Sequence, residues 1–170
     1  MQNPPKELED DPRRPTSNHR LLLTREWIGT GGTVNWVMLN PSTADDIFDD
    51  PTIRKCIGFS KRWGFSRLVV TNLFTFRATD PKDLKTCAVN DWARAVGLAD
   101  GALIEQASKA DLVVAAWGNH GNFHGRAEDV RFRVLPEQKW YCIGLTNKGM
   151  PLHPVMAAYT AKPLVYRWPL

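Results

Sequence analysis

Residues 36–46, WVMLNPSTADD, set the pattern from which the fold can be predicted. A short apolar run from Trp36 to Leu39 stops at Asn40-Pro41, and small hydroxyl residues and carboxylates follow. This change is compatible with an ordinary turn, or with a binding site at the carboxyl end of a buried strand. The rest of the chain has to decide between the two interpretations.

Other apolar runs continue the pattern. Residues 68–74 (LVVTNLF) and 112–117 (LVVAAW) are typical of strands buried on both faces, and residues 139–145 predict a last strand. Residues 21–28 and 33–39, joined by the glycine-rich turn 29–32, predict an N-terminal antiparallel hairpin.

Helical signals separate these strands. Asp50-Pro51 predicts a capped helix that continues to Gly64, residues 90–110 carry one apolar stripe at helical spacing, and residues 124–135 suit a helix with a basic outer face. Strands that alternate with helices predict an α/β protein with a central, mainly parallel sheet.

Composition bounds the class of protein. Residues 1–18 are rich in proline and charge, which predicts a flexible tail before a single domain at 19–170. The chain is 43% apolar and 24% charged, as is usual for globular proteins. Its net charge of +4 is compatible with a polyanionic partner, although many proteins without such a partner carry as much.

The cysteines and the hydropathy indicate a cytoplasmic protein. Cys56, Cys87 and Cys142 form no CxxC pair, which argues against a disulfide framework or a zinc site and favours free thiols. No apolar stretch approaches the roughly 18 residues of a membrane span, and the N-terminus lacks a signal-peptide core. We therefore expect no membrane partner. The sequence does not indicate an oligomeric state.

Four predicted strands end in loops rich in polar side chains, namely LNPSTADD, NLFTFRATDP, WGNHG and GLTNKGMPLHP. Ligands of open α/β sheets bind beyond the carboxyl ends of the parallel strands. The sequence therefore predicts that one cleft receives Asn40, Asn72, Arg77, Asn119, His120 and His153.

Structural roles compete with this prediction. Asn40 before a proline is also a turn former, and Asn72, inside an apolar run, would need a hydrogen-bond partner in any case. His120 and His124 suit surface positions at a helix start, and this is the favoured interpretation for His124.

The loop carboxylates and the glycines indicate no metal or cofactor. Asp45, Asp46 and Asp49 are the types of ligand that hard cations prefer, but clustered loop acids are more often solvated, so no metal is predicted. Phosphate-binding glycine loops and a GxSxG elbow are absent from the sequence, and no cofactor is predicted.

The order of these motifs resembles the uracil-DNA glycosylase superfamily over roughly residues 36–156. Met38-Leu39-Asn40-Pro41 is similar to that family's GINP segment, and residues 71–77 (TNLFTFR) are similar to its LN-x-x-L-T-V-R segment. Ala116-Trp117-Gly118 and His153-Pro154 resemble its LWG and His-Pro motifs. More closely, the chain resembles a bacterial and phage domain family of unknown function that carries the LNPSTAD signature.

The superfamily resemblance implies a three-layer α/β/α fold and hydrolysis of the N-glycosidic bond of a nucleobase in DNA or a nucleotide, in DNA repair or modification. It implies that His153 donates to the oxygen of the leaving base, that Asn72 binds the base edge and that Asn40 positions water. Phe59 or Phe48 would stack on the base. The other predicted substrate-binding residues are Pro41, Ser42, Arg77, Trp117, Asn119 and His120.

Three departures from the superfamily keep other functions open. An amide at Asn40 cannot act as a general base, Met38 replaces a glycine, and Val155-Met156 replaces serines and a duplex wedge. Single-stranded DNA, nucleotides and modified bases therefore all stay candidate substrates. Two alternatives are a base- or nucleotide-modifying enzyme of another class, with Asp45 or Asp46 as a catalytic residue, and a non-catalytic module that binds nucleotides or nucleic acid.

Overall fold

The computed structural model of the protein describes residues 18–42, 48–78, 80, 83–84 and 89–168, with only the backbone of 89–91. Within these residues the chain forms a six-stranded sheet and three α-helices. In chain order the elements are β1 (Leu23–Glu26), β2 (Thr33–Met38), α1 (Pro51–Arg62), β3 (Arg67–Asn72), α2 (Val89–Lys109), β4 (Leu112–Ala115), α3 (Arg126–Asp129), β5 (Tyr141–Cys142) and β6 (Leu164–Val165).

The sheet is mixed, and the expectation of a mainly parallel sheet is wrong. The strand order is β1-β3-β2-β4-β5-β6. The pairs β3–β2, β2–β4 and β4–β5 are parallel, whereas the edge strands β1 and β6 pair antiparallel with their neighbours. The two-residue strand β6 was not expected, because so short a segment carries no readable alternation of apolar and polar residues.

The predicted N-terminal hairpin is also wrong, because β1 pairs with β3 and not with β2. The glycine-rich segment between β1 and β2 instead crosses the start of β3. A Cβ atom on Gly31 would lie 1.8 Å from the carbonyl oxygen of Gly64, and the Ser66 amide donates to the Gly32 carbonyl at 3.2 Å. The glycines therefore permit a close crossing of two backbones.

Register brings the carboxyl ends of the central strands together. Met38 at the end of β2 lies beside Asn72 at the end of β3, and Val37 lies beside Ala115 at the end of β4. Because these three strands are parallel, the loops that follow them leave from one edge of the sheet.

Alternating residues of β2 pack into two separate cores. Val34, Trp36 and Met38 belong to a cluster that includes Ile53 and Phe59 of α1. In the other cluster, Val37 and Leu39 pack with Leu103 and Ala107 of α2. Since neighbouring side chains of a strand point to opposite faces, the sheet is covered on both faces at its centre.

The first two helices begin and end close to the predicted positions. Asp50 caps α1, because its Oδ1 accepts a hydrogen bond from the Ile53 amide at 2.8 Å, and Pro51 is the first helical residue. The helix predicted at 124–135 is interrupted. His124 and Gly125 both have positive φ values, 51° and 68°, so α3 starts only at Arg126 and a π-type turn follows at Val130–Val134.

The described chain begins with a strap against the loop after β3. The Arg20 amide donates to the Thr75 carbonyl at 2.8 Å, and the Arg77 amide donates to the Asn18 carbonyl at 2.7 Å. The predicted tail lies outside the described residues except for Asn18. None of the described helices has the length and apolar character that crossing a membrane requires.

The two cysteines that the structure describes, Cys56 and Cys142, are buried free thiols. Burial raises the pKa of both, most strongly that of Cys56, so neither is a ready nucleophile at neutral pH. Cys87 lies outside the described residues.

Candidate functional site

A cleft of about 720 Å³ opens at the carboxyl ends of β2, β3 and β4. β2 is flanked by β3 on one side and β4 on the other, so the loops after these three parallel strands leave the sheet side by side. This is the place in an open α/β sheet where ligands bind. Eight residues predicted for the site line the cleft: Asn40, Pro41, Ser42, Asn72, Trp117, Asn119, His120 and His153.

Asn40 is fixed by the backbone around it. Its Nδ2 donates to the carbonyl oxygens of Ala78 at 2.8 Å, Pro41 at 3.1 Å and Phe76 at 3.3 Å. Carbonyl oxygens accept hydrogen bonds and cannot donate them, so the atom that contacts them must be the amide nitrogen. The amide oxygen Oδ1 is then available as an acceptor. Asn40 therefore joins the loop after β2 to the loop after β3, and both loops form one wall of the cleft.

Asn72 presents a buried amide to the cleft. It is the last residue of β3, 3% exposed, and lies on the same face of the sheet as its neighbour Met38. Its side chain makes no hydrogen bond within the described chain, although it lines the cleft. Because this amide lines the cleft and has no hydrogen-bond partner in the described chain, it is open to a ligand or an ordered water.

The cleft also contains a small polar network centred on Asp50. Oδ2 of Asp50 accepts a hydrogen bond from the Ser42 hydroxyl at 2.5 Å, while Oδ1 accepts from the Ile53 amide at 2.8 Å. Both Asp50 and Ser42 line the cleft. The cap of α1, expected only to start a helix, thus also places a carboxylate at the site.

His153 is held neutral by its surroundings. Burial lowers the pKa of His153 below its ordinary value of 6.5, and the negative charge of Asp50 opposes that effect. A neutral imidazole at pH 7 donates from one ring nitrogen and accepts at the other. The site therefore contains a hydrogen-bond donor that carries no positive charge.

Two glycines allow close contacts in the loop after β4. Gly118 has a φ of 69°, which favours glycine, and its amide donates to the Pro151 carbonyl at 3.0 Å. A Cβ atom on Gly121 would lie 1.9 Å from Cδ1 of Trp117, so the chain folds tightly over the indole. Trp117 is 2% exposed and packs against Trp140, Tyr166 and Trp168, which leaves its ring no open face for stacking on a base.

Asn119 and His120 form the exposed rim of the cleft. Oδ1 of Asn119 accepts a hydrogen bond from the Thr146 hydroxyl at 2.6 Å, which connects the loop after β4 to the loop after β5. His120 lies in a 3₁₀ turn, Gly118–His120.

Phe59, Arg77 and Phe48 were candidates for the site, and none of them lines the cleft. Phe59 is 0% exposed in the core beneath α1, beside Trp36, so it cannot stack on a ligand. Arg77 does not line the cleft, and its Nε atom is buried. Asp45 lies outside the described residues, as does Asp46. Phe48 is 72% exposed but is not a cleft residue either.

The structure adds residues that the sequence did not indicate. Arg20 lines the cleft although it is only 5% exposed. Met156, 72% exposed, lies at the rim beyond His153. A buried arginine so close to the predicted tail carries no local motif, and only the pairing of the strap with residues 75–77 reveals its place.

The acidic residues beside the cleft give no metal site within the described chain. Asp49 forms an ion pair with Arg25 at 2.8 Å, and the described residues contain no cluster of three histidine, cysteine or carboxylate side chains. Asp49 is therefore a structural partner of β1.

Comparison with known protein families assigns the chain. A family model described as a protein of unknown function, DUF1643, matches residues 20–155. The chain belongs to the DUF1643 family. The match includes all of the residues lining the cleft from Arg20 to Val155, and Met156 follows immediately.

Neither the curated proteins nor the solved structures gave a match to this DUF1643 domain. The family description names no activity.

Proposed function

We propose that this DUF1643 domain hydrolyses the N-glycosidic bond of a nucleobase, in a nucleotide or in DNA, in the manner of the uracil-DNA glycosylase superfamily. The observation that carries the proposal is the Asn72 amide, 3% exposed on the cleft wall with no hydrogen bond to the described chain.

An asparagine amide matches the edge of a nucleobase. Its oxygen and nitrogen accept and donate side by side, and nucleobases present donors and acceptors at the same spacing. A base held in the cleft would satisfy both halves of the Asn72 amide at once. The cleft volume of about 720 Å³ is within the range of small-molecule sites and suits a base with its sugar and phosphate.

His153 suits the departing base. When the bond from the sugar to the base nitrogen breaks, negative charge develops on the base and its carbonyl oxygen. A neutral imidazole N–H can stabilise that oxygen by a hydrogen bond without giving up its proton. The lowered pKa of His153 keeps the ring in this form at pH 7.

Asn40 is suited to position a water molecule for this reaction. Its Nδ2 is committed to backbone carbonyls, and Oδ1 is left to accept a hydrogen bond from a water molecule. The role is positional, because an amide cannot take a proton.

The three-layer arrangement of the superfamily is part of the proposal. It is supported by the two core clusters, which place α1 with one set of β2 residues and α2 with the other. The parallel order β3-β2-β4-β5 at the centre of the sheet is compatible with it. Nucleic acid or a nucleotide is the proposed partner, and the net charge of +4 agrees with an anionic substrate.

The test is base release by the purified full chain. The panel consists of nucleoside monophosphates and of single- and double-stranded oligonucleotides that carry uracil, mismatched or hypermodified bases. Free base is measured by chromatography, and abasic sites are measured by alkaline cleavage. We expect release from at least one substrate, and a folded protein that releases no base from any of them would overturn the proposal.

Matched variants connect release to the cleft. Asn72→Asp keeps the shape but loses the amide donor, and His153→Asn removes the imidazole. Each should lower the rate about 100-fold or more. Asn147→Asp and His124→Asn are the controls, because both residues are exposed and neither lines the cleft. Asparagine also tolerates the positive φ of 51° at His124.

A further inference from the structure

We infer that the carboxylate of Asp50 is the general base of this cleft and supplies the chemistry that Asn40 cannot. The inference rests on the proposed function and extends it. In this role Asp50, which caps α1, contacts the attacking water directly.

The position of the carboxylate supports this role. Asp50 lines the cleft, and each of its oxygens accepts one hydrogen bond, from the Ile53 amide at 2.8 Å and from the Ser42 hydroxyl at 2.5 Å. A carboxylate oxygen has two lone pairs, so one contact on each leaves room for a water molecule. The two contacts also fix the orientation of the group before any substrate arrives.

The charged groups in the cleft make Asp50 the candidate for the general base. Among the described residues that line it, Asp50 is the one acidic side chain, Arg20 is the one arginine, and His120 and His153 complete the titratable groups. A general base has to accept a proton at neutral pH, which excludes the arginine and the asparagines. His153 is assigned to the departing base, and His120 lies on the exposed rim.

A helix cap alone would not need this arrangement. Serine and asparagine cap helices as well as aspartate does, and capping occupies one acceptor atom only. Here the second oxygen is held by Ser42, from the loop after β2. The separate observation that points to a ligand in this cleft is the unpartnered, 3% exposed amide of Asn72.

The step balances without any further reactant. The water oxygen forms a bond to the sugar carbon, and the bond from that carbon to the base nitrogen breaks with its electron pair leaving on the base. The water proton passes to the Asp50 carboxylate and from there to solvent. The base anion is stabilised by the N–H of His153 and takes its proton from solvent.

The experiment compares Asp50→Asn with the neighbouring Asp49→Asn. Asparagine keeps the cap and the fold but cannot take a proton, so kcat should fall about 100-fold or more while KM stays near that of the wild type. Affinity for a C-nucleoside analogue, which cannot be hydrolysed, should also be retained. Asp49→Asn changes a residue that pairs with Arg25 outside the cleft and should keep the wild-type kcat.

Chemical rescue provides the second variant. Glycine is a tolerated cap, so Asp50→Gly should fold and leave space where the carboxylate was. Added formate should restore at least about 10-fold of the lost rate in Asp50→Gly, and it should not do so in Asn72→Asp. A purely structural role of Asp50 does not predict rescue by a small carboxylate.

The outcomes separate the two proposals. If the wild type releases base and Asp50→Asn does so at the same rate, Asp50 is not the base and the proposed function stands. The absence of formate rescue, with both variants folded, would also overturn the role of Asp50. If the wild type releases no base from the whole panel, the proposed function fails and this inference fails with it.

Discussion

Asn40 has a structural role within the candidate site. Its Nδ2 donates to the carbonyls of Pro41, Phe76 and Ala78, and thus joins two loops that are more than 30 residues apart in sequence. An aspartate at this position would direct a carboxylate oxygen at the same carbonyls. The surroundings of Asn40 therefore favour an amide donor over a carboxylate at this position.

Replacing this residue gives the first prediction. Asn40→Asp should lower the free energy of unfolding by about 2 kcal/mol, because a charged acceptor would face the Phe76 and Ala78 carbonyls. It should not raise the rate of base release. Urea unfolding at pH 7 measures the first effect, and Asn147→Asp, at an exposed turn, is the control. A faster enzyme with unchanged stability would contradict this account of Asn40.

The pKa of His153 gives the second prediction. Burial lowers it below the ordinary 6.5, and the charge of Asp50 raises it in part. The His153 resonance should therefore titrate below pH 6.5 in an NMR experiment, and in Asp50→Asn it should titrate at a still lower pH. An unchanged titration in that variant would show that Asp50 does not act on the ring.

The lowered pKa of His153 also makes the free energy of unfolding depend on pH. As the pH falls below 6.5, the unfolded state binds a proton at His153 before the folded state does. Stability should therefore be lost between pH 6.5 and the lower pKa of the folded protein. His153→Asn should remove this part of the pH dependence, as measured by urea unfolding at several pH values.

At the scale of elements, Arg126 joins three parts of the fold. This arginine of α3 is 3% exposed and donates to the Leu73 carbonyl just after β3 at 2.9 Å. It forms ion pairs with Asp100 of α2 at 2.5 Å and with Asp129 of α3 at 2.9 Å. Because Leu73 follows Asn72, this contact also holds the end of the strand that presents the buried amide.

The third prediction concerns this network. Arg126→Met should lower the free energy of unfolding by about 3 kcal/mol, because it leaves the Leu73 carbonyl and two carboxylates without their partner. Arg133→Met is a matched control, since Arg133 pairs with the same Asp129 at 3.0 Å but is 81% exposed. The control should cost no more than about 0.5 kcal/mol. Equal losses in urea unfolding would contradict the importance of burial.

At the scale of the whole molecule, the strap formed by residues 18–20 gives the fourth prediction. Its backbone pairs with residues 75–77, and Nδ1 of His19 lies 2.9 Å from the Thr75 hydroxyl. Removing residues 1–20 should cost about 3 kcal/mol, since each of these hydrogen bonds contributes about 1 kcal/mol. The midpoint of thermal unfolding should fall by about 10 °C.

The control for the strap is a chain that starts at Asn18. If the domain begins where the sequence predicts, this chain should unfold at the wild-type temperature. Equal effects of the two deletions would move the domain boundary towards the N-terminus.

The sequence predicted those parts of the molecule that local patterns encode. The central strands show themselves as apolar runs, and Asp50-Pro51 marks the start of α1 because cap and proline chemistry are local. The pairing of β1 with β3 was missed because the glycines of residues 29–32 fit a hairpin and a crossing equally well. Phe59 was wrongly taken as a candidate for the site, and Arg20 was missed. Only packing decides which side chains reach the cleft.

The register between distant strands has a consequence for how the protein reaches its folded state. The amide of Thr33, the first residue of β2, donates to the carboxylate of Asp111 just before β4 at 2.8 Å, although 78 residues separate the two. Contacts of such long range slow folding, because the closure of large loops precedes any gain from them. The cleft is lined by the loops after β2, β3 and β4, so it is complete only when these distant strands have paired. Binding to this cleft, once a ligand is known, would therefore report on completed folding during synthesis or refolding.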